Sequence, residues 1–421
     1  MSNAIIQRAL HRLVAEIGPR PSASPANHAA ADFLAAEFAR LGYAVERQEY
    51  PATAWEHRAT RLKLGGTFVD AAANPYSPPC KVESELVVLR SLPELEAADL
   101  RGCIAVLCGD LLIQPLSAKS WFLKSETDER IIQALEKGQP AAILSVQRGL
   151  TGPLGLIEDW EFNLPSATVT PQVGLKLVQD PGTWARLVID TETQPGTAAN
   201  IVARKAGVAR QTGARPERLV FMAHFDTKFG TPGAMDNASG VAALLATAEI
   251  LAAQDCELSL EFIAFNNEEY LPIGDDEYFR RLGDNPTAEI LAALNLDLVG
   301  QQLGVDTWCT LGASPEFHTL FGELAATVPH LIETEPWYES NHSSFLMRGC
   351  PVAVLGGKGY VALHHSALDT LEWVDPRRVA GLAELCAAWA CSLDGKDLAW
   401  SRPVEATEDG KHLFAAQGKT L

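Results

Sequence analysis

Residues Phe221–Gly240 read FMAHFDTKFGTPGAMDNASG. An apolar run ends in histidine and aspartate, a loop punctuated by glycine and proline follows, and DNASG opens a long apolar stretch. That texture is strand, loop, helix. It sets His224, Asp226 and Asp236 where a strand hands over to a helix. Glu268 and Glu269 end the apolar run EFIAFNNEE, Asp297 ends ALNLD, and His365 lies in HHSALDT. Carboxylates that end apolar strands are unusual, because strand interiors reject unpaired charge. Several of them in register, with histidines at both ends, look like a metal site with mixed nitrogen and oxygen ligands.

Outward from this stretch, strands and helices alternate from Asn200 onward. RLVFMAHF reads as a strand, 238–253 as a helix, LSLEFIAFN as a strand, and 275–282 as a short helix. AALNLDLVG is a strand, EFHTLFGELAATV a helix, PVAVLGG a strand, and 376–392 a closing helix. Such alternation implies an α/β fold: a mixed, mostly parallel central sheet with helices on both faces. In sheets of this kind, functional groups gather at the carboxyl ends of strands. That shared edge can unite residues scattered along the chain.

Toward the N-terminus, 3–17 and 27–42 read as amphipathic helices around the loop GPRPSASP, followed by a strand at 43–50. Between about 57 and 190, short β-rich runs dominate and only one or two helices interrupt them, chiefly ERIIQALEKG. The division expected is one catalytic domain from 1–57 and 193–400, a β-rich insertion at 58–192, and a C-terminal tail at 401–421.

Composition narrows the function. The chain has 421 residues, 47% apolar and 21% charged, enough for a sizeable core without staples. A formal charge of −19 argues against nucleic acid, which needs a basic footprint, and against an anionic membrane surface. Eight cysteines are sparse, with no CxxC pair, and read as buried free thiols in a reducing compartment. The N-terminus lacks the basic and long apolar regions of a signal peptide, and nothing approaches the ~20 apolar residues of a membrane span. The expectation is a cytoplasmic protein.

Imidazole and carboxylate ligands suit zinc, and two ions roughly 3.5–4 Å apart need a bridging carboxylate. Two histidines and three acids suffice for such a pair. Asp226, two residues after His224, can accept from its second ring nitrogen and fix the tautomer. Of Glu268 and Glu269, one can ligate while the other stays free as a general base. Asp236 and Ser239 also suit a helix N-cap. GDDEYF reads as a helix start, His342 as pocket wall or surface loop, and His318 and His330 as ordinary helix and loop residues.

The blocks HFD, GAMDNASG, NNEE, NLD and HHSALDT, in that order, resemble the signature blocks of the M28 family of zinc aminopeptidases. EIGPRPSASPANHAAADFLAAEFARLGYAVERQEY looks like that family's lead-in. The segment from SELVVL through LEAADLRGCIAVLCGD to PSATVTPQVG is similar to the protease-associated (PA) domain inserted in many members. The resemblance covers nearly all of residues 1–395. It implies a zinc-dependent exopeptidase fold with a PA-like insertion that walls or covers the site, acting on short peptides with a free N-terminus. Two zinc ions are implied, with cobalt or manganese as possible substitutes. His224 and Asp297 would bind one ion, Glu269 and His365 the other, and Asp236 would bridge. Glu268 would be the base and Asp226 the orienter of His224, with a cis peptide between Asp236 and Asn237.

There are departures from the family pattern. Asn341 stands where many members carry an aspartate. His364 replaces a tyrosine that several members place before the last ligand, and it can donate to an oxyanion in the same way. Three alternatives stand beside this reading. A glutamate-carboxypeptidase-like enzyme needs an arginine cluster that forms no evident block here. A glutaminyl-cyclase-like member would differ after the bridging aspartate, where DNASG favours a peptidase. A non-catalytic peptide-binding homologue would have lost ligands, whereas all five positions and the base are intact.

Overall fold

A computed structural model describes residues 2–119, 125–147, 155–179, 182–208 and 217–403. The chain forms two compact units, Met1–Ala52 with Thr197–Leu421, and Thr53–Gly196. These boundaries lie a few residues outside the 58–192 segment. Two long strands, Ala44–Leu64 and Trp184–Lys205, run through them, so no turn residues mark the change.

In the first unit the strand order is Leu331–Glu333, Val305–Leu311, Val352–Lys358, Ile290–Leu296, Arg218–His224, Ser259–Phe265 and the end of Trp184–Lys205. The four strands from Val352–Lys358 to Ser259–Phe265 are mutually parallel. Antiparallel neighbours flank them, Val305–Leu311 on one side and residues 201–205 on the other. Ile290–Leu296 is buried throughout, and Arg218–His224 and Ser259–Phe265 at all but their first residue. That is the burial expected of strands covered on both faces, whose sequences read as continuous apolar runs. Val305–Leu311, VDTWCTL, carries no clear strand signature in sequence, because Asp306, Thr307 and Thr310 interrupt its apolar pattern.

Helix Ser239–Ala252 is buried from Ser239 through Ala248. It packs against helices Ser2–Leu10 and Pro376–Ser392, which explains a sequence apolar on all sides. Lys205 Nζ donates to the carbonyls of Leu251, Ala252 and Gln254 at 3.0, 2.8 and 2.6 Å and so closes the C-terminal end of that helix. The N-terminal helix expected over 3–17 is α-helical only to Leu10, with a wider turn over His11–Ile17. Residues 401 and 402, expected as the start of the tail, are hydrogen-bonded within this unit. Ser314 N donates to Ser401 O at 2.9 Å, and Arg402 Nη2 donates to the carbonyls of Thr287 and Ile290 at 3.0 and 3.2 Å. Residues 404–421 lie outside the described residues.

The second unit carries parallel strands Cys80–Leu89, Ile104–Leu107, Ala142–Val146 and Ser166–Val169, with Ala71–Ala73 antiparallel to the last. Among the described residues it holds three α-helices, Leu92–Ala97, Glu126–Gly138 and Pro171–Gln179, where one or two were expected. The first is only six residues long, and Gly174 weakens the signal of the third. A Cβ at Gly174 would meet Val146 Cγ1 at 2.4 Å, so the glycine lets this helix lie directly on a strand. Among the described residues no helix is long and apolar enough to cross a membrane.

Candidate metal centre

The parallel register pairs Phe265 with His224 and Asn295 with Met222, so these strands end at one edge. His224 is the last residue of its strand, Asp297 follows Leu296, and Glu268 and Glu269 lie just past Phe265. Asp236 comes from the turn before helix Ser239–Ala252, and His365 follows the short helix Val361–His364.

Asp236 sits at the centre. Its Oδ1 is 3.1 Å from His224 Nε2, and its Oδ2 is 3.1 Å from His365 Nε2. Asp297 Oδ1 lies 3.5 Å from His224 Nε2, and Glu269 Oε2 lies 3.2 Å from His365 Nε2. Two groups of nitrogen and oxygen donors therefore share one carboxylate. Glu268 Oε2 stands 3.9 Å from His224 Nε2, and its side chain keeps 17% exposure against 2% for Glu269. The two neighbours, which spacing alone leaves interchangeable, thus differ in exposure and in the imidazole each approaches.

These residues fit divalent-cation binding. Asp297 Oδ1 is buried without a hydrogen-bond partner, although Ser340 Oγ donates to its Oδ2 at 2.9 Å. Asp226, Asp236, Glu269 and Asp297 are all buried together. Arg20 is buried as well, but it donates to the carbonyls of Phe225, Leu13, Gly18, Pro232 and Gly233. Carboxylates massed out of water, with only two imidazoles and the Arg20 guanidinium nearby, are costly, and cations between them offset that cost. The donor set of imidazole nitrogen and carboxylate oxygen suits zinc.

Electrostatics record the crowding. Burial raises the Glu268 carboxyl well above its ordinary range against the pull of His224, and Asp297, Glu269 and Asp236 add to the rise. Burial opposes a charged His224, but Glu268 and Asp297 together hold it well above its usual value. His365 goes up to about 10: burial opposes the shift, and Glu269 and Asp236 outweigh it. Asp236 is held well below the carboxylate range; burial works against this, and hydrogen bonds from both imidazoles prevail.

Asp226, expected as the orienter of His224, does face its Nδ1. Its Oδ1 is 3.7 Å from His224 Nδ1, too long for a hydrogen bond. Its two oxygens accept instead from the backbone N–H of Glu268 and Glu269, at 3.2 and 3.3 Å. Asp369 accepts from the N–H groups of Met235 and Asp236, at 2.7 and 3.0 Å, and fixes the loop that carries the shared carboxylate. Asp236 and Ser239 do not cap the following helix. Asn237 Oδ1 accepts from Gly240 N at 2.9 Å, its Nδ2 donates to Leu296 O at 2.8 Å, and Ser239 Oγ turns back to Met235 O. The Asp236–Asn237 peptide is cis.

His364 packs edge-on against His365, ring centroids 3.9 Å apart, with Nε2 4.0 Å from Asp236 Oδ2. His342 is fully buried and belongs to the wall: Nε2 meets Trp337 O at 2.8 Å, and Nδ1 lies 3.3 Å from Asn295 Nδ2. Burial lowers it to about 4. Asn341 Nδ2 donates to the buried Asp275 Oδ2 at 2.7 Å. His318 meets Thr310 Oγ1 at 2.9 Å, and His330 lies in a turn.

Sequence reasoning missed Arg20 and the asparagines. Asn267 takes a positive φ of 70° just before Glu268, a conformation asparagine tolerates, and its side chain receives Ser22 Oγ and Tyr50 OH. Asn266 exchanges hydrogen bonds with Asn27 at 2.8 and 3.0 Å. The paired asparagines of NNEE were the available signal.

Residues 200–390 match the model of peptidase family M28. The chain is 27% identical over 452 residues to the probable lipoprotein aminopeptidase LpqL of Mycobacterium tuberculosis, covering 94% of this chain and 85% of that one. It is 23% identical to a probable leucine aminopeptidase 2 of Aspergillus oryzae over 64% of this chain, and spans only about half (52%) of that relative's length. The fold is shared with a zinc aminopeptidase from Bacillus subtilis, with TM-score 0.75, 20% identity, and coverage of 96% of this chain and 98% of that one. An aminopeptidase from Aneurinibacillus sp. strain AM-1 superposes similarly, with TM-score 0.72, 21% identity, and coverage of 97% and 98%. The family match and the relatives mark the chain as a peptide hydrolase related to peptidase family M28, and its fold is the one those two solved aminopeptidases share.

Proposed function

We propose that this chain is a dinuclear zinc aminopeptidase that removes N-terminal residues from short peptides. The observation that carries the reading is Asp236, whose two oxygens each lie 3.1 Å from a different imidazole. When bound, the cations would acidify a water, polarise the scissile carbonyl and help seat the free α-amine. His224 and Asp297 would hold one ion, Glu269 and His365 the other, and Asp236 both.

Glu268 serves as the base. It stands at the open side of the cluster, takes a proton from the attacking water and passes it to the departing nitrogen. Burial and neighbouring carboxylates raise its affinity for that proton. A positioned acid–base of this kind contributes roughly 10²–10⁴-fold. Asp226 fixes the backbone that carries it, and His364 donates toward the oxygen that gains negative charge. Residues Thr53–Gly196 are read as the PA-like insertion, restricting substrates to short or flexible peptides. A chain that cleaved folded proteins as fast as short peptides would contradict that restriction.

The deciding experiment pairs zinc content with hydrolysis of aminoacyl-nitroanilides, and compares free with N-acetylated peptides. Two zinc ions per chain and cleavage of free peptides alone are expected. Equal cleavage of acetylated peptides would overturn the aminopeptidase direction; a zinc-loaded protein with no hydrolysis would leave a peptide-binding homologue.

A further inference from the structure

Helix Ser239–Ala252 begins beside Asp236, and its other end, about 20 Å away along the axis, carries a second chemical feature. There the turn at 254–257 meets the last turn of helix Pro376–Ser392. Cys391 Sγ donates to Gln254 Oε1 at 2.8 Å, and Glu257 N donates to Asp394 Oδ1 at 3.0 Å. Between these two anchors lies Cys256, which is buried, two residues from the Gln254 that the exposed Cys391 contacts, and each thiol acts on the other's proton affinity. Both are free cysteines here.

We propose that Cys256 and Cys391 form a disulfide site that closes on exposure to a small-molecule disulfide such as oxidised glutathione, stapling the closing helix to the 254–257 turn. The Cys391 thiolate attacks one sulfur of the small disulfide, whose S–S bond breaks, and one small thiolate leaves. Cys256, its proton lost to water, then attacks Cys391 Sγ, and the second small thiolate leaves with the electron pair. Two protein thiols are oxidised, and one disulfide is reduced to two thiols.

Exposure fits Cys391 as the entry point, and burial fits Cys256 as the resolving thiol. Burial, with Cys391 and Asp394 adding to it, raises the Cys256 thiol to about 11; burial and Asp394 raise Cys391 as well. High values slow the exchange. They also deny the reduced pair any thiolate stabilisation, so the closed pair resists reduction. The loop closed between 256 and 391 is long, the case in which the chain-entropy account gives a disulfide its largest effect. In a compartment held reducing, the thiols stay free; in an oxidising one, the pair closes.

The test uses the full chain, reduced, desalted, incubated with oxidised glutathione, denatured and labelled at its free thiols. Two of the eight cysteines should escape labelling. One linked peptide should join residues 256 and 391, and the thermal midpoint should rise by about 5 °C. Cys391→Ser should give no linked peptide and the same midpoint with and without oxidant. Eight labelled thiols, glutathione stranded on Cys391, linkage through other cysteines, or a linked chain with an unmoved midpoint would each overturn the proposal.

Discussion

On the proposed mechanism, a single atom of Glu268 separates catalysis from metal binding. The carboxylate and its amide share size and most contacts, so Glu268→Gln should keep the site's shape while removing its capacity to accept a proton. The expected outcome is unchanged zinc content by elemental analysis and a kcat lower by roughly 10²–10⁴-fold. Near-normal turnover would remove Glu268 from the mechanism. Asp226 poses the complementary case. Its carboxylate holds the N–H groups of both Glu268 and Glu269, so Asp226→Ala strips two charge-assisted hydrogen bonds from the strand end. A loss in kcat of about tenfold or more, with a fall in zinc affinity of about 10–100-fold measured by competition with a chelator, is expected. Had Asp226 acted through His224 alone, the Glu268–Glu269 backbone would play no part in that loss. The sequence placed this aspartate beside the site correctly. It gave no sign of the bond partner, because HFD fixes spacing along one strand and the acceptor's true partners arrive from the next strand.

At the scale of elements, the sheet and its major helices were legible because buried parallel strands and an all-apolar helix leave unbroken runs in the sequence. Helix 376–392 came out as read, whereas the flanking strand Val305–Leu311 did not, its run broken by polar residues. Which residue caps is not legible along the chain, where several suit the helix start: Asn237, not Asp236, closes it, which frees Asp236 for the centre. Gly240 makes the same junction possible. A Cβ there would meet Asn237 Oδ1 and Leu296 O at 2.3 Å each. Gly240→Ala should therefore force the helix away from the strand carrying Asp297, costing about 1–3 kcal/mol by denaturant unfolding. Helix Ile273–Leu282 carries a pH signature. Burial raises Asp275 to about 7, against hydrogen bonds from Ser344 and Asn341. An acid raised on folding binds its proton more tightly in the native state. Its cost is absent below the unfolded value near 4, grows as pH rises, and is complete above about 7. Asp275→Asn keeps an acceptor for Asn341 and removes the titration. Its stability relative to the parent chain should rise between pH 4 and 8, by at most on the order of 4 kcal/mol, read from unfolding curves at each pH. A flat difference across that range would show that Asp275 does not titrate there.

For the whole molecule, the formal charge of −19 is mostly solvated surface, but the acids that matter lie where water cannot screen them. A fold that drives Asp226, Asp236, Glu269 and Asp297 into one cluster carries a stability deficit that cations make good. Any ligand that binds only the folded chain stabilises it in proportion to the logarithm of its excess over Kd, about 4 kcal/mol at a thousandfold excess. Removing metal with a chelator should therefore lower the thermal midpoint by several degrees, and added zinc should restore it. Asp236→Ala supplies the control within the same fold. It deletes the shared carboxylate, so zinc should no longer move the midpoint, wherever the loss of its bonds to the two imidazoles sets that midpoint. A parent chain whose midpoint ignores both chelator and zinc would mean that these side chains are neutralised by protons and the two imidazoles alone. The convergence of His224, Asp236, Asp297, Glu269 and His365 would then be a buried polar network, not a metal centre.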